Sequence, residues 1–344
     1  MKFLDGVDRR STLAILGSAL VAAKAPPTRL TRPPRLREGD VVGLIEPAGF
    51  TDDLFDLDLV KQTVAAMGLR PKLAQHLAER EGYFAGKDAD RAADVNAMFA
   101  DPDVRAVFAV RGGWGCARIL PYLDFRTICA NPKLLIGFSD ITALHLALAA
   151  RAGFTTIHGP NAGSSWPKFS WDAFRAIAFD GATPTLVSPV VNEDRLAPRS
   201  GHIRTFRGGR TSGRLLGGNL TVLAALMGTG WLPDFDGAIL FLEDVDEAPY
   251  RVDRMLTQLS LSGLLKKVAG VVFGQCTSCD AAGPSYGGFT LSQVLQQHFE
   301  PLGVPAFQGA AFGHVASQFS LPLGVLAEID ADAGSIRLRE PAVA

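Results

Sequence analysis

Lys133-Leu134-Leu135-Ile136-Gly137-Phe138-Ser139-Asp140-Ile141-Thr142 reads as a short apolar strand, a serine on a tight turn, and the start of a helix. An apolar run of this length, stopped by a glycine, fits a strand buried on both faces. The turn puts the Ser139 hydroxyl beyond the carboxyl end of that strand, with helix amides behind it to hold a developing oxyanion. A serine becomes a nucleophile only with a base and with an acid that orients the base. Candidates lie far downstream, Glu243 in Phe241-Leu242-Glu243-Asp244 and His314 in Phe312-Gly313-His314. The competing reading of Ser139 is a helix N-cap, since Gly137-Phe138-Ser139-Asp140-Ile141 lacks the second glycine of the usual nucleophile elbow.

Outward from this stretch, short apolar runs alternate with helical periodicity. Strands are predicted at Val41 to Glu46, Ala106 to Val110, Leu134 to Gly137 and Thr155 to His158, with helices at Asp56 to Met67, Arg91 to Phe99, Ala117 to Leu123 and Ile141 to Ala150. Such alternation predicts a mostly parallel sheet with helices on both faces. Ligands of such sheets sit beyond the carboxyl ends of the strands, where Gly112, Ser139 and His158 fall. Prolines 167, 184, 189 and 198 mark an irregular connector with one short helix near Trp171 to Ala178. A second module begins near Ser212, with strands at Gly237 to Leu242 and Val268 to Gly274. It continues with helices at Val252 to Ser260 and Leu291 to Phe299, and a closing hairpin around Ala333-Gly334. The expected organisation is α/β: a leader (1–35), an N-terminal domain carrying the serine (36–165), a connector (166–210), and a smaller C-terminal α/β domain carrying Glu243 and His314 (211–344).

At 344 residues the chain exceeds what one core usually serves, about 250–300 residues. A hydrophobic fraction of 47% and a charged fraction of 20% describe an ordinary globular protein. The net charge of −1 gives no electrostatic reason to expect nucleic acid or an anionic membrane as partner. Cys276 and Cys279 form a lone C-x-x-C without the second pair a zinc site needs, so they read as small loop residues, with a disulfide open to them on export. Asp8-Arg9-Arg10-Ser11-Thr12-Leu13, the apolar run to Ala23 and the break at Pro26-Pro27 resemble a twin-arginine signal peptide. Thr12 departs from the bulky apolar residue usual there. The run is too short for a membrane span of roughly 20 residues, so the expected location is the periplasm; the alternative is a cytoplasmic protein with an uncleaved N-terminal helix.

Six pieces of the chain, in order, resemble the LD-carboxypeptidase family, which includes muramoyltetrapeptide carboxypeptidases and microcin C self-immunity hydrolases. They are Arg111-Gly112-Gly113-Trp114-Gly115 with Arg118 to Asp124; the Ser139 turn; His158-Gly159-Pro160; Gly217-Gly218-Asn219-Leu220; Leu242-Glu243-Asp244 leading to Ala248-Pro249-Tyr250-Arg251; and Phe312-Gly313-His314 followed by Leu321-Pro322-Leu323-Gly324. The resemblance implies a serine peptidase whose triad is split between two domains: Ser139 the nucleophile, His314 the base and then acid, Glu243 the orienting carboxylate. It implies an oxyanion hole from the backbone of Asp140, Gly112 and Gly113, no cofactor and no metal, a homodimer, and a peptidoglycan-derived tetrapeptide losing its terminal D-alanine. The chain departs from the family at Trp114, where tyrosine is frequent, at Cys116, and at Asn161, where many members carry methionine.

Other residues compete for these roles. His158 is a rival base at a strand end, and His145 reads as a packed residue inside the elbow helix. Asp244, Asp246 and Glu247 crowd one turn without histidines at ligand spacing, so they read as loop and cap carboxylates, with Asp253 in the helix that follows. Gly112-Gly113-Trp114-Gly115 lacks the G-x-G-x-x-G spacing of a dinucleotide loop, whereas as an oxyanion turn its glycines let backbone amides approach a carbonyl. Arg111 and Trp114 are candidate substrate contacts; Arg111 serves equally as a brace of the turn. Three rival functions remain open: hydrolysis of other amides such as aminoacyl-nucleotide conjugates, non-catalytic muropeptide binding, and a nucleotide-dependent oxidoreductase.

Overall fold

The structure is a computed structural model describing residues 30–189, 202–279 and 288–344. Residues 1–29 of the expected leader, the twin-arginine-like part included, lie outside the described residues, whereas Thr31, near its end, donates its backbone N–H to the Gly153 carbonyl at 2.9 Å. The first half runs β1 (Val41–Ile45), α1 (Leu54–Ala66), β2 (Arg70–Leu73), α2 (Asp88–Ala100), β3 (Val104–Ala109), α3 (Cys116–Ile119), α4 (Phe125–Ala130), β4 (Leu134–Gly137), α5 (Thr142–Arg151), β5 (Thr156–His158) and α6 (Lys168–Ala178). The second runs β6 (Thr185–Val187), β7 (Arg204–Arg207), β8 (Arg210–Asn219), α7 (Leu220–Ala225), β9 (Ile239–Val245), α8 (Pro249–Leu261), β10 (Gly270–Thr277), α9 (Leu291–Phe299) and β11 (Ala306–Ala310). It closes with β12 (Leu321–Leu323), β13 (Leu326–Asp330) and β14 (Ser335–Leu338).

Two sheets result. The first has the order β12-β5-β4-β3-β1-β2 and is parallel except where β12 pairs antiparallel with β5. The second has the order β6-β14-β13-β8-β9-β10-β11-β7, parallel only from β8 through β11. β4 is buried along its whole length, as an apolar strand covered on both faces must be. The second half was expected to be the smaller, yet its sheet has eight strands against six. The reason lies in the stretch expected as a connector, which supplies β6 and β7 as short antiparallel edge strands.

The two sheets meet at α5. That helix is buried from Thr142 through Leu148, the pattern of a helix enclosed on all sides. The backbone N–H of Asn219, at the end of β8, donates to Thr142 Oγ1 at 2.9 Å. Asn219 Oδ1 in turn accepts from Val222 N and caps α7. Thus the Gly217-Gly218-Asn219 segment docks the second sheet directly on the helix that follows Ser139. Cys276 and Cys279, read as loop residues, are joined in a disulfide across a Cα–Cα distance of 5.5 Å. Among the described residues no helix is long and apolar enough to cross a membrane.

Candidate active site

β4 ends at Gly137, and Ser139 adopts φ 65° before a single 3-10 turn leads into α5. Positive φ is uncommon for a residue with a side chain and holds only where the surroundings enforce it. The surroundings here are specific. Asn161 Oδ1 accepts the Phe138 N–H at 3.1 Å, and His145 Nε2 donates to the Gly137 carbonyl at 2.9 Å. Asp140 Oδ2 accepts the Cys116 N–H at 2.7 Å, tying the turn to α3. Ser139 is not an N-cap: no side-chain cap bond opens either the 3-10 turn or α5.

The Ser139 hydroxyl instead faces His314, with Oγ 3.1 Å from Nε2. On the far side of the ring, Nδ1 donates to Glu243 Oε2 at 2.8 Å. That second bond places the imidazole proton on Nδ1, leaving the Nε2 lone pair for the serine proton. Glu243 is fully buried near the end of β9, and His314 sits on the loop after β11. Gly313 holds this loop at φ 91°, and a Cβ there would fall 2.4 Å from Glu243 Oε2, so only glycine lets the two segments touch. The Thr277 hydroxyl donates to the His314 carbonyl at 2.6 Å, and the Thr277 carbonyl accepts Asp246 N–H at 2.9 Å. The disulfide-closed turn therefore joins the acid-bearing loop to the base-bearing loop.

Burial disfavours the charged form of His314, but the hydrogen bond to Glu243 and the charges of Glu243, Asp244 and Asp246 outweigh it and raise its pKa above the ordinary value. A base works only when deprotonated. The acid limb of a kcat/KM profile for the hydrolysis this site supports is therefore expected to have its midpoint above ~6.5. A pH–rate series measures it, and a midpoint below that value would contradict the assignment.

The remaining candidates fall into place by geometry. Gly112 lies against the serine: a Cβ there would sit 2.8 Å from Ser139 Cβ and 3.4 Å from the Asp140 amide nitrogen. The Gly112 carbonyl accepts from Gly49 N at 3.2 Å. Arg111 Nη1 donates to the Phe50 carbonyl at 2.6 Å, which braces the turn; Trp114 is 44% exposed beside it. His158, the rival base, is fully buried behind Glu243, with Nε2 3.9 Å from Glu243 Oε1. Burial, with His145 and His314 close by, pushes its pKa well below the usual imidazole value. Asp244 points elsewhere, accepting from Asn219 Nδ2, Thr221 N and the Thr221 hydroxyl. Burial and the neighbouring Glu243 push it up to about 6. A depression of ≈ 560 Å³ at the amino ends of β1 and β2 lies at the opposite end of the strands from Ser139.

Sequence reading missed Glu46, which follows β1 and looks like an ordinary strand-ending acid. It is 3% exposed, accepts from the Thr51 hydroxyl, and burial pushes its carboxyl up to about 7 despite Thr51, Arg111 and Arg80. The folded state thus takes up a proton between pH 4.5 and 7. Its stability falls as pH rises through that window, by roughly 3 kcal/mol for a shift of this size. Glu46→Gln is expected to raise the melting temperature at pH 8 and to change little at pH 4.5. Equal effects at both pH values in a thermal melt would refute this.

The fold and this geometry together define a two-sheet α/β protein with a Ser–His–Glu hydrogen-bonded chain at the facing ends of its strands. The chain belongs to the LD-carboxypeptidase family. The family's N-terminal domain matches residues 42–159 and its C-terminal domain residues 212–329. A Streptomyces coelicolor protein that carries a carboxypeptidase name is 39% identical over 324 residues, covering 91% of this chain and 98% of the relative. The murein tetrapeptide carboxypeptidase of Pseudomonas aeruginosa is 33% identical over 298 residues, 84% of this chain and 92% of that protein. A mutant of the microcin C7 self-immunity protein MccF, solved with adenosine monophosphate, superimposes with a TM-score of 0.81 at 25% identity. It covers 91% of this chain and 100% of that one.

Proposed function

We propose that the protein is a serine-type LD-carboxypeptidase that removes the terminal D-alanine from peptidoglycan tetrapeptides. The observation that carries the reading is the unbroken series Ser139 Oγ, His314, Glu243, with separations of 3.1 and 2.8 Å. In this reading the Ser139 hydroxyl gives its proton to His314 Nε2 as Oγ attacks the scissile carbonyl. The oxyanion is held by backbone N–H groups of Asp140 and the Gly112-Gly113 turn, each donor worth about 2.7–4 kcal/mol of barrier. His314 then protonates the leaving amine, and water activated by the same imidazole releases the acyl group. Glu243 stabilises the imidazolium throughout.

The test is incubation of the purified protein with a murein tetrapeptide, following free D-alanine by mass spectrometry. Release supports the reading; none overturns it. The likeness to MccF supports a second reading, hydrolysis of aminoacyl-nucleotide conjugates, which release of a nucleotide from such a conjugate would establish. Export to the periplasm is proposed as well. The Arg9-Arg10 leader supports it, and so does the Cys276–Cys279 disulfide, which suits an oxidising compartment. Fractionation of cells carrying Arg9→Lys with Arg10→Lys tests it, retention in the cytoplasm being the expected result. The homodimer implied by the family is tested by light scattering.

A further inference from the structure

A cleft of ≈ 230 Å³ opens beside His314, bounded by Pro160, Ser164, Ser165 and Trp166 on one side and Ala316 and Gln318 on the other. His314 and Phe138 line it, whereas Ser139 and the Gly112-Gly113 turn do not. In acyl transfer the general acid stands next to the departing amine, so a cavity beyond the imidazole and away from the oxyanion turn faces the leaving group. We propose that this cleft is the leaving-group subsite, and that it takes one small amino acid through its free carboxylate and rejects a nucleotide. This deepens the serine carboxypeptidase reading and rests on it.

Three observations carry the assignment. The first is size: the volume is below the ~300–1,000 Å³ of sites that enclose larger ligands. The second is a built wall. Trp166 is held at φ 47°, its Nε1 donates to the Asn161 carbonyl at 2.9 Å, and its ring packs on Phe174 at 5.2 Å. Asn161 also holds the Phe138 N–H, so one residue positions both the nucleophile turn and the cleft wall. The third is chemistry. Gln318 is 4% exposed, its backbone N–H donates to Ser170 Oγ, and its buried Oε1 has no partner within the protein. Which end of a carboxamide faces a ligand is set by what it meets. A carboxylate selects the Nε2 donor end, and the Ser164 and Ser165 hydroxyls supply further donors. Apart from His314, no titratable side chain among the described residues lines the cleft. Neutral donors hold a carboxylate more weakly than a bidentate arginine ion pair would, so the released amino acid leaves readily.

The experiment compares wild type, Ala316→Phe and Gln318→Glu on three peptides with one acyl portion. They end in D-alanine, D-alanine amide or D-tryptophan. Labelling of Ser139 by an alkyl fluorophosphonate, which forms a P–O bond and expels fluoride, reports the triad independently. Wild type is expected to favour D-alanine over D-tryptophan by about 100-fold in kcat/KM. Ala316→Phe is expected to lose about 100-fold on D-alanine while labelling at a rate within about twofold of wild type. Gln318→Glu sets a like charge against the carboxylate and is expected to raise KM about tenfold for the acid peptide but not for the amide. Equal wild-type turnover of D-alanine and D-tryptophan peptides, or wild-type kinetics in both labelled variants, overturns the subsite alone. Labelling of wild type without release of D-alanine overturns the carboxypeptidase reading and the subsite with it.

Discussion

Ser139→Ala is expected to reduce D-alanine release by a factor on the order of 10,000 to 1,000,000 without unfolding the protein. The hydroxyl is the one atom the reaction requires there, and it stands 3.1 Å from His314 Nε2. The elbow itself is held by groups the substitution leaves alone: Asn161 on Phe138, His145 on Gly137, and Cys116 N–H on Asp140. Alanine keeps the cost of φ 65°, whereas glycine removes it. Ser139→Gly should therefore be equally inactive and about 1 kcal/mol more stable than Ser139→Ala. Mass spectrometry of released D-alanine and a thermal melt of both variants make the comparison. Turnover above one part in a hundred in either variant would remove Ser139 from the nucleophile's place.

Glu243→Gln is the second large effect, a loss of roughly 10,000-fold in kcat. The carboxylate now accepts the Nδ1 proton and offsets the charge that His314 gains during attack. A carboxamide of the same shape carries no charge. With its N–H toward the ring it also forces the proton onto Nε2, where the imidazole can no longer accept one from serine. The side chain is fully buried beside His158, whose ring packs on Phe241 and Phe312, so an isosteric change leaves packing intact. His158 does not rescue the function, since it stands behind Glu243 and not beside Ser139. Near-normal kcat in Glu243→Gln, with folding verified by circular dichroism, would mean that orientation of His314 rests on other groups.

The parallel cores of both sheets were legible because apolar runs such as Leu134 to Gly137 and Gly237 to Leu242 leave little choice but a buried strand. β2 was not, because Arg70-Pro71-Lys72-Leu73 is a largely exposed edge strand with no hydrophobic pattern. β12 has three residues with a proline in the middle, and it joins the first sheet although it follows β11 of the second. No local signal reports that return. The same division holds at the site. Ser139, Glu243 and His314 stand at ends of apolar runs and could be picked out by position and chemistry. Their partners could not: the hold of Asn161 on Phe138, of Thr277 on His314, and the burial of Glu46 arise between segments far apart in the chain. Arg111 was open between two roles, and its bond to Phe50 places it in the brace of the turn.

The nucleophile follows a strand of one sheet, while the acid lies near the end of a strand of the other and the base on a loop after another, and α5 with Asn219 joins them. Activity is therefore a readout of mutual registration and not of either half alone. Heat or denaturant that loosens only the weaker sheet should silence the enzyme while much of the far-ultraviolet signal persists. The inactivation midpoint then marks the first cooperative unit to give way, which makes catalysis the earlier alarm and spectroscopy the later one.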